Sequence, residues 1–266
     1  MTALAASLRD SSVVAWRNLV NIKRNPDWLL SGTVQPIMFV LLFAYVFGGS
    51  LGGAEYREFL LPGIFVQTVA FNSAFTVIGL ANDLQKGIVD RFRSLPMSRL
   101  AVLLGRTTSD LAVTVLTVVI MSLCGLIVGW RIRGSVADAA LGFFVLLLFS
   151  FAMSWVGAFI GLVARSVEVA QSAGLMWLFP VTFISSVFVS AENMPGPLRA
   201  FAEWNPITVS ADALRELFGN PLRPDGGLPD SWPSQHAVLY SIAVSVLIIA
   251  AFVPLAVARY RRVASR

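Results

Sequence analysis

The chain has 266 residues, of which 56% are hydrophobic and 13% charged, with a mean hydropathy of +0.75 and a formal net charge of +5. A soluble domain averages about 45–50% apolar and about 25% charged residues, so the composition points to a chain that lives in lipid and excludes an ordinary cytosolic enzyme, a disordered tail and a nucleic-acid binder. One cysteine, Cys124, excludes an internal disulfide, and one histidine, His236, excludes a two-histidine zinc site.

The chain opens on a leader, residues 4–24. On a helical wheel Leu4, Leu8, Ala15, Trp16, Leu19 and Ile22 share one face, and Asp10, Arg17, Asn21 and Arg24 share the other. Val13 and Val14 fall off the stripe. The pattern predicts an amphipathic interface helix in the inner leaflet, with Trp16, Arg17 and Arg24 at the headgroups. A frayed cytosolic leader is the plainer alternative. No cleavable signal is expected, because the first 28 residues lack an apolar core followed by a small-residue cleavage site.

Six stretches have the roughly 20 apolar residues that a helical crossing needs. They are residues 28–48, 61–81, 106–130, 139–164, 169–190 and 237–258. The runs are continuous rather than alternating, which disfavours a barrel. The expected fold is therefore an all-α integral membrane domain, a single unit over 1–266. Placing both termini in the cytoplasm puts fourteen Lys/Arg inside and six outside, as the positive-inside rule asks. Pro36, Pro180 and Pro254 should kink or end their spans, Pro180 being the best hinge. Gly157 and Gly161 would permit close helix contact.

Between the second and third spans lies NDLQKGIVDRFRSLPMSR, residues 82–99, too charged to cross. Ile88, Phe92 and Leu95 repeat at helical spacing and Pro96 stops the helix. A short cytosolic helix with one greasy edge suits a groove on a partner. It also suits an ordinary loop on lipid headgroups, and the residues do not choose between the two. Arg106 and Asp110 form an i,i+4 pair at the start of the third span. Residues 191–235 form an outer segment whose apolar positions suggest two short helices broken at Asn205–Pro206, dipping back into the outer interface beside Trp204 and Trp232. His236 is expected at headgroup level. The basic tail from Arg259 is an inner-leaflet anchor.

No P-loop and no HExxH motif occur, so the chain is expected to bind neither ATP nor zinc itself, and mid-span positions carry no carboxylate for a proton relay. Polar residues inside the spans are neutral. Gln35, Gln67, Asn72, Gln171 and Ser185 either bond neighbouring helices or line a substrate path.

Two strings carry a resemblance. One is Asp83, Gly87, then Asp90-Arg91-Phe92-Arg93-Ser94-Leu95-Pro96-Met97 and Arg99; the other runs Phe179-Pro180, Ser185-Ser186, Glu192-Asn193-Met194-Pro195, Asn205-Pro206, Asp212 and Arg215. With the six-span pattern, the chain resembles permeases of the type-2 ABC transporters, in their daunorubicin-resistance branch. The resemblance implies a transport subunit without its own ATPase site. Two permease copies would form the membrane core, and separate ATP-binding subunits carrying ATP and Mg would dock beneath. Asp83, Gly87, Ile88, Asp90, Arg91, Phe92, Arg93, Leu95 and Pro96 would belong to the coupling helix, with the leader beside it. Spans one and five would line the seam and the path. Glu192, Met194, Pro195, Asn205, Pro206 and Arg215 would belong to an outer gate. The cargo would be an amphiphilic drug or lipid moved outward across a bacterial cytoplasmic membrane. The alternatives are a membrane-embedded enzyme acting on lipids or peptides, for which only serines, aspartates and His236 are on offer, and an assembly factor with no transport path.

Overall fold

In a computed structural model of the protein, residues 13–18, 20, 26–47, 53–88, 99–225, 227 and 230–263 are described. All secondary structure among them is helical. The leader is helical over residues 13–18. Helix α1, Pro26–Leu41, runs directly into a π-helical turn, Leu42–Phe47. Then come α2, Gly53–Gln85; α3, Arg99–Val128; α4, Val136–Val163; α5, Val167–Met176; and α6, Leu178–Phe183. The segment expected on the outer side holds a 3-10 turn, Ala191–Asn193, and helices α7, Gly196–Trp204, α8, Pro206–Phe218, and α9, Trp232–Gln235. Helix α10, Ala237–Val263, ends the described chain.

Among the described residues, four helices are long and apolar enough to cross a membrane: Gly53–Gln85, Leu100–Val128, Val136–Val163 and Ala237–Arg262. Their large apolar side chains do not all turn inward. Val119, Leu123 and Ile127 on α3 and Leu239, Val246 and Leu247 on α10 are exposed. Such stripes on a soluble protein would aggregate, whereas hydrocarbon solvates them.

Helix α2 is the central post. It packs against α4, and α8 and α10 pack against α4 in turn. The α2–α4 approach depends on Gly157 and Gly161. A Cβ at Gly157 would lie 2.5 Å from the Ser73 carbonyl oxygen, and one at Gly161 would lie 2.7 Å from that of Val77. These glycines let the two backbones touch along two successive turns, which is how small residues drive helix association in lipid.

The stretch expected as a fifth continuous span, 169–190, is not one helix. It breaks at Trp177, resumes as α6, and leaves 184–190 as turn and bend. The cause is Pro180, three residues past the break. It has no N–H to give to the Met176 carbonyl four residues back, and its ring crowds that carbonyl. Pro36 and Pro254 lie inside α1 and α10 and end neither helix.

Candidate functional site

A cleft of about 210 Å³ lies between α1, α2 and α5. Gln35, Gln67, Asn72 and Gln171 line it, four of the five polar residues singled out as path candidates. Phe39, Phe71 and Phe75 supply its apolar walls. Helical spacing explains the grouping. Residues 64, 67, 68, 71, 72, 75 and 78 form one stripe of α2 at i, i+3 and i+4, and that stripe faces the gap. Asn72 combines both expected roles, since its amide also reaches Thr114 Oγ1 at 3.5 Å, which the Ser150 hydroxyl meets at 3.2 Å. The Gln67 side chain makes no hydrogen bond to any described residue. No charged residue lines the cleft among the described residues.

Ser185, the fifth candidate, lies elsewhere. It is buried in the irregular stretch, with its hydroxyl on the Thr182 carbonyl. Between that stretch and the cleft runs a series of phenylalanine rings. Phe71 meets Phe179 edge-on at 5.2 Å, Phe179 stacks on Phe183 at 6.0 Å, Phe183 meets Phe188 at 5.6 Å, and Phe188 stacks on Phe43 at 4.4 Å. The rings join α2 and the π-helical turn after α1 to the broken fifth segment.

Non-helical backbone at membrane depth persists only where its polar groups find partners in protein. Here α8 and its cap supply them. Asn205 Nδ2 donates to the Val181 and Ile184 carbonyls at 2.6 and 2.8 Å, while its Oδ1 caps α8 by accepting from the Ile207 N–H at 2.9 Å. Thr208 Oγ1 accepts from the Ser186 N–H at 3.0 Å. Tyr56, on α2, donates its hydroxyl to the Phe188 carbonyl at 3.1 Å.

Arg215 completes the latch and is wholly buried. It donates to the Phe59 carbonyl at 2.9 Å, the Ser186 carbonyl at 2.8 Å and the Ser186 hydroxyl at 3.1 Å. Its ion pair with Asp212 Oδ1 is 2.7 Å long, and its guanidinium carbon lies 3.7 Å from the Phe59 ring centre. The other Asp212 oxygen accepts from Ser234 at 2.8 Å. Burial holds the Arg215 pKa below its ordinary value, against the opposing pull of the Asp212 carboxylate. A satisfied buried ion pair at the centre of the outer segment was not foreseen. The i,i+3 spacing of Asp212 and Arg215 on an apolar helix was its only trace. Glu192 pairs instead with Arg223 at 2.6 Å, Met194 caps the 3-10 turn, Pro195 precedes α7 and Pro206 opens α8.

Asp83 lies in the last turn of α2, Gly87 follows in the turn after it with φ +65°, and Ile88 comes next. Asp90, Arg91, Phe92, Arg93, Leu95 and Pro96 lie outside the described residues, as does Arg24. Trp16 is exposed, and Arg17 approaches Asp83 at 3.6 Å. The Asn18 amide donates to Ser109 at 3.2 Å, so the leader packs on α3. His236 stacks on Trp232 at 4.9 Å, beside Trp204 and Tyr240, in an exposed aromatic group, and no serine hydroxyl meets it among the described residues.

Apolar stripes that face outward, an uncharged cleft and a broken segment latched by an outer helix now have a family context. The model of the ABC-2 type transporter family matches residues 10–218. The chain belongs to that family. It is similar to the daunorubicin resistance ABC transporter permease protein DrrB1 of Streptomyces coeruleorubidus, 33% identical over 262 residues covering 98% of this chain and 87% of the relative. It is also similar to the putative transport permease ycf38 of Cyanophora paradoxa, 23% identical over 80% of this chain and 75% of the relative. A third relative is the probable doxorubicin resistance permease DrrC of Mycobacterium tuberculosis, 22% identical over 75% of this chain and 73% of the relative. The ABC-2 match ends at Phe218, the last residue of α8, and so takes in the cleft and all of the latch except Ser234.

Proposed function

We propose that this ABC-2 chain is the permease subunit of an ATP-driven exporter that moves an amphiphilic drug or lipid-like molecule outward across the cytoplasmic membrane of a bacterium. The observation that carries the reading is the cleft, where amides from three helices converge among phenylalanines with no fixed charge. Sites for small organic molecules have this make-up, a mostly apolar wall with a few placed polar groups. At about 210 Å³ the cleft is below the roughly 300–1,000 Å³ of such sites, so one copy supplies part of a wall. Val34, Met38, Leu41 and Leu42 on the α1 side, and Val169 and Met176 on α5, are exposed. A second permease, identical or related, set against that edge would enlarge the cleft and cover them.

In this reading the chain crosses six times with both termini inside. Residues 26–47 supply the first crossing, and α5, α6 and the latched stretch together supply the fifth. ATP and Mg belong to a separate ATP-binding subunit that receives the segment 82–99, with the leader alongside. Closure of two such subunits moves the coupling segments as rigid bodies, and the spans rearrange around the seam. The amides that line the cleft, with no carboxylate among the described lining residues, favour recognition of the neutral, hydrogen-bonding part of a cargo over its charge. Glu192, Met194, Pro195, Asn205, Pro206 and Arg215 belong to the outer gate, where the latch holds the exit shut.

The test is purification of the tagged chain from its native membrane in mild detergent, with mass spectrometry of what accompanies it. A stoichiometric P-loop subunit whose ATP hydrolysis responds to daunorubicin, the probe taken from the relatives' names, is the expected result. Arg91→Glu and Phe92→Ala should then release that subunit while the permease stays folded. Recovery of the intact permease alone would sink the exporter reading; normal co-purification with both variants would sink the coupling assignment.

A further inference from the structure

We propose that Arg106 is a positioning residue that locks α3 to α2, so that movement entering α2 at Asp83 reaches the wall of the cleft with the two helices as one body. The proposal rests on the exporter reading above. An i,i+4 pair with Asp110 explains only one arm of this side chain, the 3.3 Å contact of its Nε. The other two arms leave α3 for α2. Nη1 stands 3.9 Å from Asp83, at the base of the cytoplasmic segment. Nη2 donates at 3.3 Å to the carbonyl of Phe75, a residue lining the cleft. One guanidinium thus spans two turns of α2, holding the end that enters the cytoplasmic segment and the stretch that faces the candidate cargo.

Neighbouring groups reinforce both ends. Asp110 accepts at 2.7 Å from Thr76, the residue after Phe75. Asp83 is also held by Arg17 of the leader. The bridge passes over Gly79, where a Cβ would overlap the Arg106 guanidinium. The side chains of Arg106, Asp83 and Asp110 are only 16%, 20% and 14% exposed, so solvent screens them poorly. A planar guanidinium fixes three acceptors at set angles, which a single flexible ammonium does not. The result is a rigid cross-brace. Asp83, Phe75 and Thr76 lie on α2 while Arg106 and Asp110 lie on α3, so a shift that enters α2 at Asp83 must either take α3 along or break the brace.

The experiment uses the full permease with its ATP-binding subunit in lipid nanodiscs. Cys124→Ser removes the native thiol, and Gln35→Cys places a reporter in the cleft. Maleimide labelling of that reporter is timed without nucleotide and after vanadate trapping with ATP. In the otherwise unmodified complex the rate should change at least about threefold on trapping, as a shift between two cleft states requires. In Arg106→Gln the change should fall below about 1.5-fold while ATP hydrolysis stays within about twofold, an uncoupling that a merely structural residue would not give. Arg106→Lys, which keeps the charge, should fall between. Gly79→Ala, which displaces the guanidinium and removes no charge, should behave like Arg106→Gln and carries the test if that variant does not fold. A full labelling response in the folded Arg106 and Gly79 variants overturns the proposal, and so does a reporter that ignores trapping in the unmodified complex. Lack of an ATP-binding subunit in the starting preparation overturns the exporter reading itself, before any variant is made.

Discussion

Replacing Arg215 by methionine keeps an unbranched, largely apolar side chain and deletes the guanidinium. The change strands the carboxylate of Asp212, which is 5% exposed, and takes their donor from the carbonyls of Phe59 and Ser186. Removing one partner of a buried ion pair costs about 3–5 kcal/mol. Each carbonyl left without a donor would add about 1–3 kcal/mol if nothing moved, but relaxation and the weaker hydrogen-bond energetics of lipid-embedded helices, about 0.6 kcal/mol on average, trim that addition. A total near 4 kcal/mol, at about 2–4 °C per kcal/mol for a chain of this size, lowers Tm by about 8–16 °C. Adding Asp212→Asn removes the stranded charge while leaving an acceptor for Ser234, so the double variant should recover about half of the loss. Thermal unfolding of the purified permease in detergent, followed by tryptophan fluorescence and by size exclusion after heating, reads all three. A Tm within about 2 °C of the parent for Arg215→Met, or a double variant that loses the sum of both single losses, would refute the account of the latch.

Gly157→Ala should lower Tm by an amount worth about 1–3 kcal/mol, because its Cβ meets the Ser73 carbonyl, which belongs to a backbone that cannot swing away. Gly196→Ala, in open space, serves as the control and should change nothing measurable. Pro180→Ala restores an N–H opposite the Met176 carbonyl, so α5 and α6 should fuse, and hydrogen exchange at 177–180 should slow by about tenfold or more; unchanged exchange would move the cause of the break elsewhere. Gln67→Leu takes no partner from any described residue, so Tm should stay within about 3 °C while daunorubicin-stimulated ATP hydrolysis by the complex falls severalfold. Unchanged stimulation would remove Gln67 from the path.

Continuous apolar runs of crossing length are a one-dimensional property, and four of them reappear as helices long and apolar enough to span. The stripe of α2 that lines the cleft could also be read, since helical spacing alone puts Gln67, Asn72 and their neighbours on one face. Hydropathy was a poor guide to 169–190, which scores as a span although its last third is not helical. The signal there was Pro180, which a hinge reading caught but whose consequence was larger than a hinge. Of the latch, the residues in the resembling string and the i,i+3 spacing of Asp212 and Arg215 were legible, but not the contacts between them. Its partners, Phe59, Ser186, Asp212, Arg215 and Ser234, come from distant parts of the chain, and nothing local says that Arg215 points into the bundle. Arg106 was legible only as half of an i,i+4 pair, because Asp83 and Phe75 belong to another helix.

The latch also sets an order on biogenesis. The carbonyls of Val181, Ile184, Ser186 and Val187 take their donors from side chains 21–29 residues further along the chain. When the fifth apolar stretch leaves the ribosome, Asn205 and Arg215 are still inside the exit tunnel or not yet made. Until they arrive, residues 184–190 cannot be handed to hydrocarbon without stranded carbonyls. In the six-span reading, insertion of this stretch therefore waits on folding of the hairpin formed by α7 and α8.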